Sequence, residues 1–350
     1  MTSPVTLLSL ATANPSFEIN QAEALSAARD VLQSGFAQFE RMTAVFSNSG
    51  IRNRQLARPL DWYRQKHDFA ERTRIYLDVA LDLFADAASK ALAAAGLTAV
   101  DVDTILTVSS TGIATPSLEA RAMGRMGFRT NVNRIPVFGL GCAGGVTGLG
   151  LAAKLARVAP GSIVLFVAVE LCSLAFRTDN VDKADIIATA LFGDGVAACV
   201  LKVGDEGFAE IAGSAEKTWN NTLDIMGWRI EESGLGVVLN RAIPVFAKQH
   251  MRAAMTEMLA PQGLEIDQID RFICHPGGAK VVDAIEQALS LGQGSLDCER
   301  DVLRDHGNMS SPTALFVLDR LRRQEMPALS VLTALGPGFT ASTVTLKRAA

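Results

Sequence analysis

The chain has 350 residues, 49% hydrophobic and 20% charged, with a formal net charge of −4. This composition buries a large core, which excludes disorder as the main state, and the mild acidity gives no overall attraction to nucleic acid. No apolar run approaches the ~18 residues of a membrane span, no export signal is read at the N-terminus, and five cysteines without metal-ligand spacing point to a reducing cytoplasm.

Taken in order, residues 80–95 form an Ala/Leu-rich helix stopped by Gly96. Residues 103–108 and 134–139 are short strands, and the second runs into a glycine-rich turn and a helix over about 146–157. Residues 161–169 are an almost unbroken Val/Ile/Leu/Phe strand, the pattern of a sheet covered on both faces. A further strand spans 195–203.

This order then repeats. Ala91-Leu92, Gly96-Leu97, Val102-Asp103 and Ile105-Leu106 match Met258-Leu259, Gly263-Leu264, Ile269-Asp270 and Phe272-Ile273 without a gap. One gap later, Gly141-Cys142, Leu149 and Leu155 match Gly307-Asn308, Leu315 and Leu321. The expectation is an α/β fold of two duplicated halves, 1–204 and 205–350, packed as one unit. The repeat sets His275 where the first half has Val108, at a strand end. It sets Cys142 and Asn308 at matching positions before matching helices, where ligand sites of α/β sheets lie.

Cys142 sits in Gly139-Leu-Gly-Cys-Ala-Gly-Gly145. The glycines allow a tight turn, and a helix N-terminus favours thiolate over thiol. That describes an activated nucleophile; a small buried cysteine beside a packing turn would leave the same pattern. Cys172, Cys199, Cys274 and Cys298 lack such a turn. His275 closes Arg271-Phe-Ile-Cys-His-Pro-Gly-Gly278, placed either to take a proton from Cys142 or to donate to a carbonyl oxygen. His67, His250 and His306 read as solvated. Asn308 precedes Ser311 and Pro312, a good N-cap and first helical residue, so it is a turn residue or a ligand-facing amide. A Cys-His-Asn set serves hydrolysis, with Asn orienting His. It equally serves carbon–carbon bond formation, with Cys holding an acyl group while His and Asn stabilise an enolate.

At these residues the sequence resembles the type III polyketide synthases, the chalcone synthase-like branch of the thiolase fold. The likeness covers nearly the whole chain, through Ala11-Thr-Ala-Asn-Pro15, Gly139-Leu-Gly-Cys-Ala-Gly144, Ala190-Leu-Phe-Gly-Asp-Gly195, Cys274-His-Pro-Gly-Gly278, Gly307-Asn-Met-Ser-Ser311 and Gly336-Pro-Gly338. The resemblance implies a layered αβαβα core, Cys142 as the acylated nucleophile, and His275 with Asn308 as the decarboxylation and oxyanion site. It implies Phe192 as an aromatic gatekeeper, with Val237 where plant enzymes carry a second gate aromatic, and Gly336-Pro337-Gly338 as a cavity-shaping loop. Ser110, Cys172 and Ala175 fall at cavity-floor positions, where small side chains would leave room for an alkyl chain. Arg41 matches a contact to coenzyme A phosphates; Gln38 and Val45 replace neighbouring lysines of the family, so Arg52 or Arg54 are further candidates for that contact, and Gly277 is a further coenzyme A-binding candidate. Thr115 matches a residue that reaches into the partner's cavity, implying a homodimer. The segment from Asp224-Ile-Met-Gly-Trp-Arg229 to Pro244 is similar to bacterial alkylresorcinol and alkylpyrone synthases. The implied substrates are an acyl-CoA, medium- or long-chain, and malonyl-CoA, with no cofactor and no metal. A single-step ketoacyl synthase, a thioester hydrolase, or a synthase of a small phloroglucinol or naphthalene are the alternatives.

Overall fold

The computed structural model describes residues 4–349, apart from 34, 37, 179, 180, 232 and 233. The chain begins with β1 (Val5–Ala13), β2 (Phe17–Asn20), α1 (Gln21–Leu32), α2 (Phe39–Met42), α3 (Ala44–Ser47), β3 (Asn53–Leu56) and the long α4 (Phe69–Ala94). It continues through β4 (Thr104–Val108), α5 (Leu118–Met126), β5 (Asn133–Val137), α6 (Gly144–Val158), β6 (Val164–Leu171), α7 (Lys183–Leu191) and β7 (Asp194–Val203). Next come β8 (Ala209–Thr218), β9 (Met226–Glu231), β10 (Gly234–Leu239), α8 (Ile243–Leu259), β11 (Arg271–Cys274) and α9 (Ala279–Leu289). The last elements are α10 (Asp297–His306), α11 (Thr313–Arg322), β12 (Leu329–Gly336) and β13 (Thr340–Arg348).

Every helix and strand expected from the sequence is present, and α4 differs most. It starts at Phe69 because Asp68 caps it, accepting from the Glu71 N–H at 2.7 Å. Its first turns carry Glu71, Arg72 and Arg74, which hide the apolar stripe that marks the later turns.

Nine strands make one sheet in the order β11-β12-β13-β8-β1-β7-β6-β4-β5. From the central β1–β8 pairing outward, β1-β7-β6-β4 on one side is mirrored by β8-β13-β12-β11 on the other. In each half the first two junctions are antiparallel and the third is parallel. The duplication legible in the sequence is therefore the architecture itself. Alternate residues of β6 face opposite sides, as strand geometry requires, and both sides are buried. Phe166 and Ala168 enter a central core with Leu149 and Ala152 of α6, Leu315 and Leu318 of α11, and Leu332 and Val344 of the other half. Leu165 and Val167 meet Ala80, Phe84 and Ala87 of α4 on the outside. Met255 of α8 and Val282 of α9 cover Phe272 and Val331 on the opposite face. The layers run α4 and α5, first half-sheet, α6 with α11, second half-sheet, α8 with α9: the αβαβα arrangement of the thiolase-like fold.

The two central helices meet closely at their N-terminal ends. A Cβ on Gly145 would stand 2.1 Å from the Ser311 carbonyl oxygen, so only glycine permits this approach. The contact brings the segment ahead of α6 against the segment ahead of α11, and these carry Cys142 and Asn308.

Candidate active site

Cys142 lies in a short 3-10 turn, Gly141–Ala143, feeding straight into α6. Gly141 takes φ +48, and a Cβ there would lie 2.6 Å from the Pro337 ring. Its N–H donates to Ser110 Oγ at 3.0 Å. Burial pushes the Cys142 thiol up to about 11, against the pull of hydrogen bonds from the Ser310 and Asn308 side chains. Burial thus works against the activation that the sequence pattern had favoured and holds the sulfur toward the neutral thiol.

His275 follows β11, its N–H donating to Thr333 O at 2.8 Å. The side chain is 4% exposed, and neither ring nitrogen has a hydrogen-bond partner among the described residues. Burial drives its pKa down to about 4, so the imidazole is neutral. Both ring nitrogens of this buried side chain on the cavity wall are therefore free to bond a molecule held there. Asn308 is anchored through its backbone to the Phe192 segment: its N–H donates to Leu191 O at 2.9 Å, and its carbonyl accepts from Gly193 at 3.0 Å. Its Oδ1 accepts from the Ser310 N–H at 2.8 Å and its Nδ2 donates to Gly277 O at 3.2 Å. Asn308 is thus held in the turn and also lines the cavity. Helix α11 begins at Thr313, with Pro312 at the cap position, because the Ser311 hydroxyl donates to Glu170 at 3.0 Å and does not cap the helix.

Cys142, His275 and Asn308 all line one cavity of about 470 Å³. It runs from the exposed Arg41, Arg241 and Lys280 to these buried groups, past Ile187, Leu191, Met226, Val237, Leu239 and Ile285. Phe192, Val237, Gly277, Pro337 and Arg41 stand on its walls as expected. Gly336 packs beneath, where a Cβ would meet Ala143 at 2.6 Å, and Gly338 turns the loop at φ +72.

Other expectations are corrected. Arg54 is 1% exposed, donates to Phe192 O at 3.2 Å, and is pushed down to about 10 by burial despite nearby Asp194; it cannot reach a phosphate. Arg52 is exposed, but it lies off the cavity, its N–H donating to Arg304 O. Ser110 and Cys172 are behind the wall, Ser110 holding the Cys142 turn and Cys172 packing under Phe192 and Val237. Ala175 lines a separate void of about 20 Å³ with Tyr76 and Leu235, so these three small residues do not floor the main cavity. Thr115 is exposed, near the half-exposed Ile113. His67 and His306 are not solvated: the first stacks on Trp62 at 3.9 Å and pairs with Glu71, the second meets Gln55 Oε1 at 2.9 Å.

Some site residues escaped the sequence reading. Glu170 is fully buried at the end of β6 and accepts from Ser110 N at 3.0 Å, Thr111 Oγ1 at 2.7 Å and Ser311 Oγ; burial raises it to about 7. A lone carboxylate closing an unbroken apolar strand was the available signal. Trp228 and Arg241 lie in the segment 224–244 already noted for its resemblance, but their place on the cavity wall, like that of Lys280, depends on packing between distant segments.

Comparison with known proteins decides the ancestry. The model of the N-terminal domain of chalcone and stilbene synthases matches residues 3–205, and that of the C-terminal domain matches residues 210–350. The chain belongs to the chalcone and stilbene synthase family. It is a type III polyketide synthase, an acyltransferase class that uses coenzyme A thioesters and needs no cofactor. The synthase is 39% identical to 1,3,6,8-tetrahydroxynaphthalene synthase of Streptomyces peucetius subsp. caesius over 344 residues, 96% of this chain and 91% of that one. It is 29% identical to the alpha-pyrone synthesis polyketide synthase-like Pks18 of Mycobacterium tuberculosis (strain ATCC 25618 / H37Rv), over 95% of this chain and 88% of that one. Its fold superposes on the crystal structure of 1,3,6,8-tetrahydroxynaphthalene synthase from Streptomyces coelicolor A3(2) with a TM-score of 0.93 and 26% identity, covering 99% of each chain. PKS-I from the brown alga Ectocarpus siliculosus gives a TM-score of 0.93 at 25% identity, again over 99% of each chain. No helix among the described residues is long and apolar enough to cross a membrane.

Proposed function

We propose that the synthase moves a medium- or long-chain acyl group from coenzyme A to Cys142, extends it with malonyl-CoA, and releases an alkylpyrone or alkylresorcinol. One observation carries this reading: a single passage joins an exposed cationic rim to a buried sulfur through apolar walls. Arg41, Arg241 and Lys280 are the cations for the coenzyme A phosphates, with Gly277 beside the thioester arm. The apolar side chains of Ile187, Leu191, Met226, Val237 and Leu239 take the alkyl chain, in place of the floor residues first considered.

In the loading step the Cys142 sulfur attacks the acyl-CoA carbonyl, His275 takes the thiol proton, and coenzyme A leaves with that proton. In the extension step malonyl-CoA loses its carboxylate as carbon dioxide, and the electron pair passes to an enolate. His275 and the Asn308 Nδ2 donate to the enolate oxygen. The enolate carbon attacks the acyl thioester, forming the new carbon–carbon bond and releasing Cys142. Two neutral donors suit this task, because a carboxylate in either place would repel the developing charge. Thr115 is assigned to contact with a second copy in a homodimer, which sedimentation of the wild-type protein tests.

A second reading, a naphthalene product, is favoured by the 39% identical relative named 1,3,6,8-tetrahydroxynaphthalene synthase. A starter panel with product mass spectrometry separates the two. An alkylated pyrone or resorcinol supports the first, and a naphthalene product the second. Cys142→Ala should abolish every condensation product while the melting temperature stays unchanged. Continued product formation by that variant would overturn both readings.

A further inference from the structure

The second aromatic of the plant-type gate is replaced here by Val237, yet the cavity wall beside Phe192 is not left with one ring. In the two-stranded sheet of β9 and β10, Val237 pairs directly with Trp228. Directly paired residues project from the same face, and both side chains line the cavity. The Trp228 indole lies 6.4 Å from the Phe192 ring, inclined at 43°, and the two rings pack with Val237 and Cys172 in one cluster. The spacing between the rings is also braced. Phe192 terminates α7, and β9 is tied to that helix by Arg229 with Asp182 at 3.6 Å. Arg177 adds to the brace by pairing with both Glu231 of β9 and Asp185 of α7.

We propose that Trp228 extends Phe192 into a two-ring aromatic wall of the passage, and that this wall sets which acyl chains reach Cys142. The proposal rests on Cys142 being the acyl acceptor. A broad, rigid indole lies against an alkyl chain with large contact area and little loss of side-chain entropy. It therefore discriminates by length and bulk more sharply than the valine paired with it.

The test is single-turnover loading of Cys142 followed by intact mass, with hexanoyl-CoA and dodecanoyl-CoA as probes. Trp228→Ala should change the ratio of dodecanoyl to hexanoyl loading by at least roughly fivefold, the scale on which apolar pockets discriminate chain length. Trp228→Phe should stay close to the wild-type ratio. The exchange of sides, Trp228→Ala with Val237→Phe, should bring the ratio back towards the wild type. An unchanged ratio in folded Trp228→Ala overturns the proposal, as does an exchange variant no nearer the wild type than Trp228→Ala. Should Trp228→Ala fail to fold, Val237→Phe alone crowds the passage at this wall and should depress dodecanoyl loading; no depression overturns the proposal equally. Wild-type protein that takes up no acyl group at Cys142 from any probe would instead sink the functional reading beneath it.

Discussion

At Asn308 the amide oxygen already accepts the Ser310 N–H, and one Nδ2 hydrogen goes to Gly277. The same side chain pulls the Cys142 thiol down through a hydrogen bond, so in the proposed chemistry the residue offers a donor and not an acceptor where substrate charge develops. Asn308→Asp replaces that donor with an acceptor of nearly the same shape. The expected result is a loss of roughly a hundredfold or more in malonyl-CoA decarboxylation, with acyl loading at Cys142 retained, checked by released carbon dioxide and intact mass. His275 gives a pH signature. Its pKa near 4 in the native state lies below the ordinary 6.5, so the unfolded chain takes up the proton first as pH falls through that interval. The contribution of a neutral His275 to stability is complete above 6.5 and is lost towards pH 4. His275→Gln should therefore melt closer to the wild type at pH 5 than at pH 7.5; a difference that does not change with pH would contradict the buried neutral ring. The three polar residues were legible because the repeat sets them at equivalent strand and helix ends. Arg54 was misread because charge in a sequence says nothing of burial, and this guanidinium spends its donors inside the protein.

Among the elements, the pair α6 and α11 carries the positioning. The glycine-rich turn was legible as a tight turn, but its stronger constraint is contact across the duplication, where Gly145 meets the Ser311 carbonyl. Gly145→Ala must push the helices apart, at a cost of about 1–3 kcal/mol. It should also lower Cys142 loading and decarboxylation together, because the sulfur and the amide sit on the two displaced segments. Calorimetry with the loading assay checks this, and normal melting with normal loading would show that the approach is not required. The start of α4 and the β9–β10 pair were harder to read. A cap and a few polar turns conceal the first, and Trp228 opposite Val237 is a matter of register that no single strand displays.

For the molecule as a whole, Glu170 ties the halves together: it receives Ser110 and Thr111 from the first and Ser311 from the second. Burial raises Glu170 to about 7 from 4.5, and Asp194 likewise to about 7 from 3.8. Between these values the unfolded chain ionises first, so their contribution to stability falls as pH rises from about 4 to about 7. Glu170→Gln removes one such group. Relative to the wild type, its melting temperature should become more favourable on going from pH 5 to pH 8, and thermal scans showing no such drift would remove Glu170 from this account.

Duplication normally yields two equal copies, and here the equivalent corners have diverged into unlike tools. One corner holds a thiol, which chemistry can burden and unburden, and its counterpart holds an amide, which is no nucleophile. In the proposed chemistry that inequality holds the acyl chain at one corner while the malonyl unit is activated at the other, with coenzyme A departing and fresh malonyl-CoA arriving between cycles.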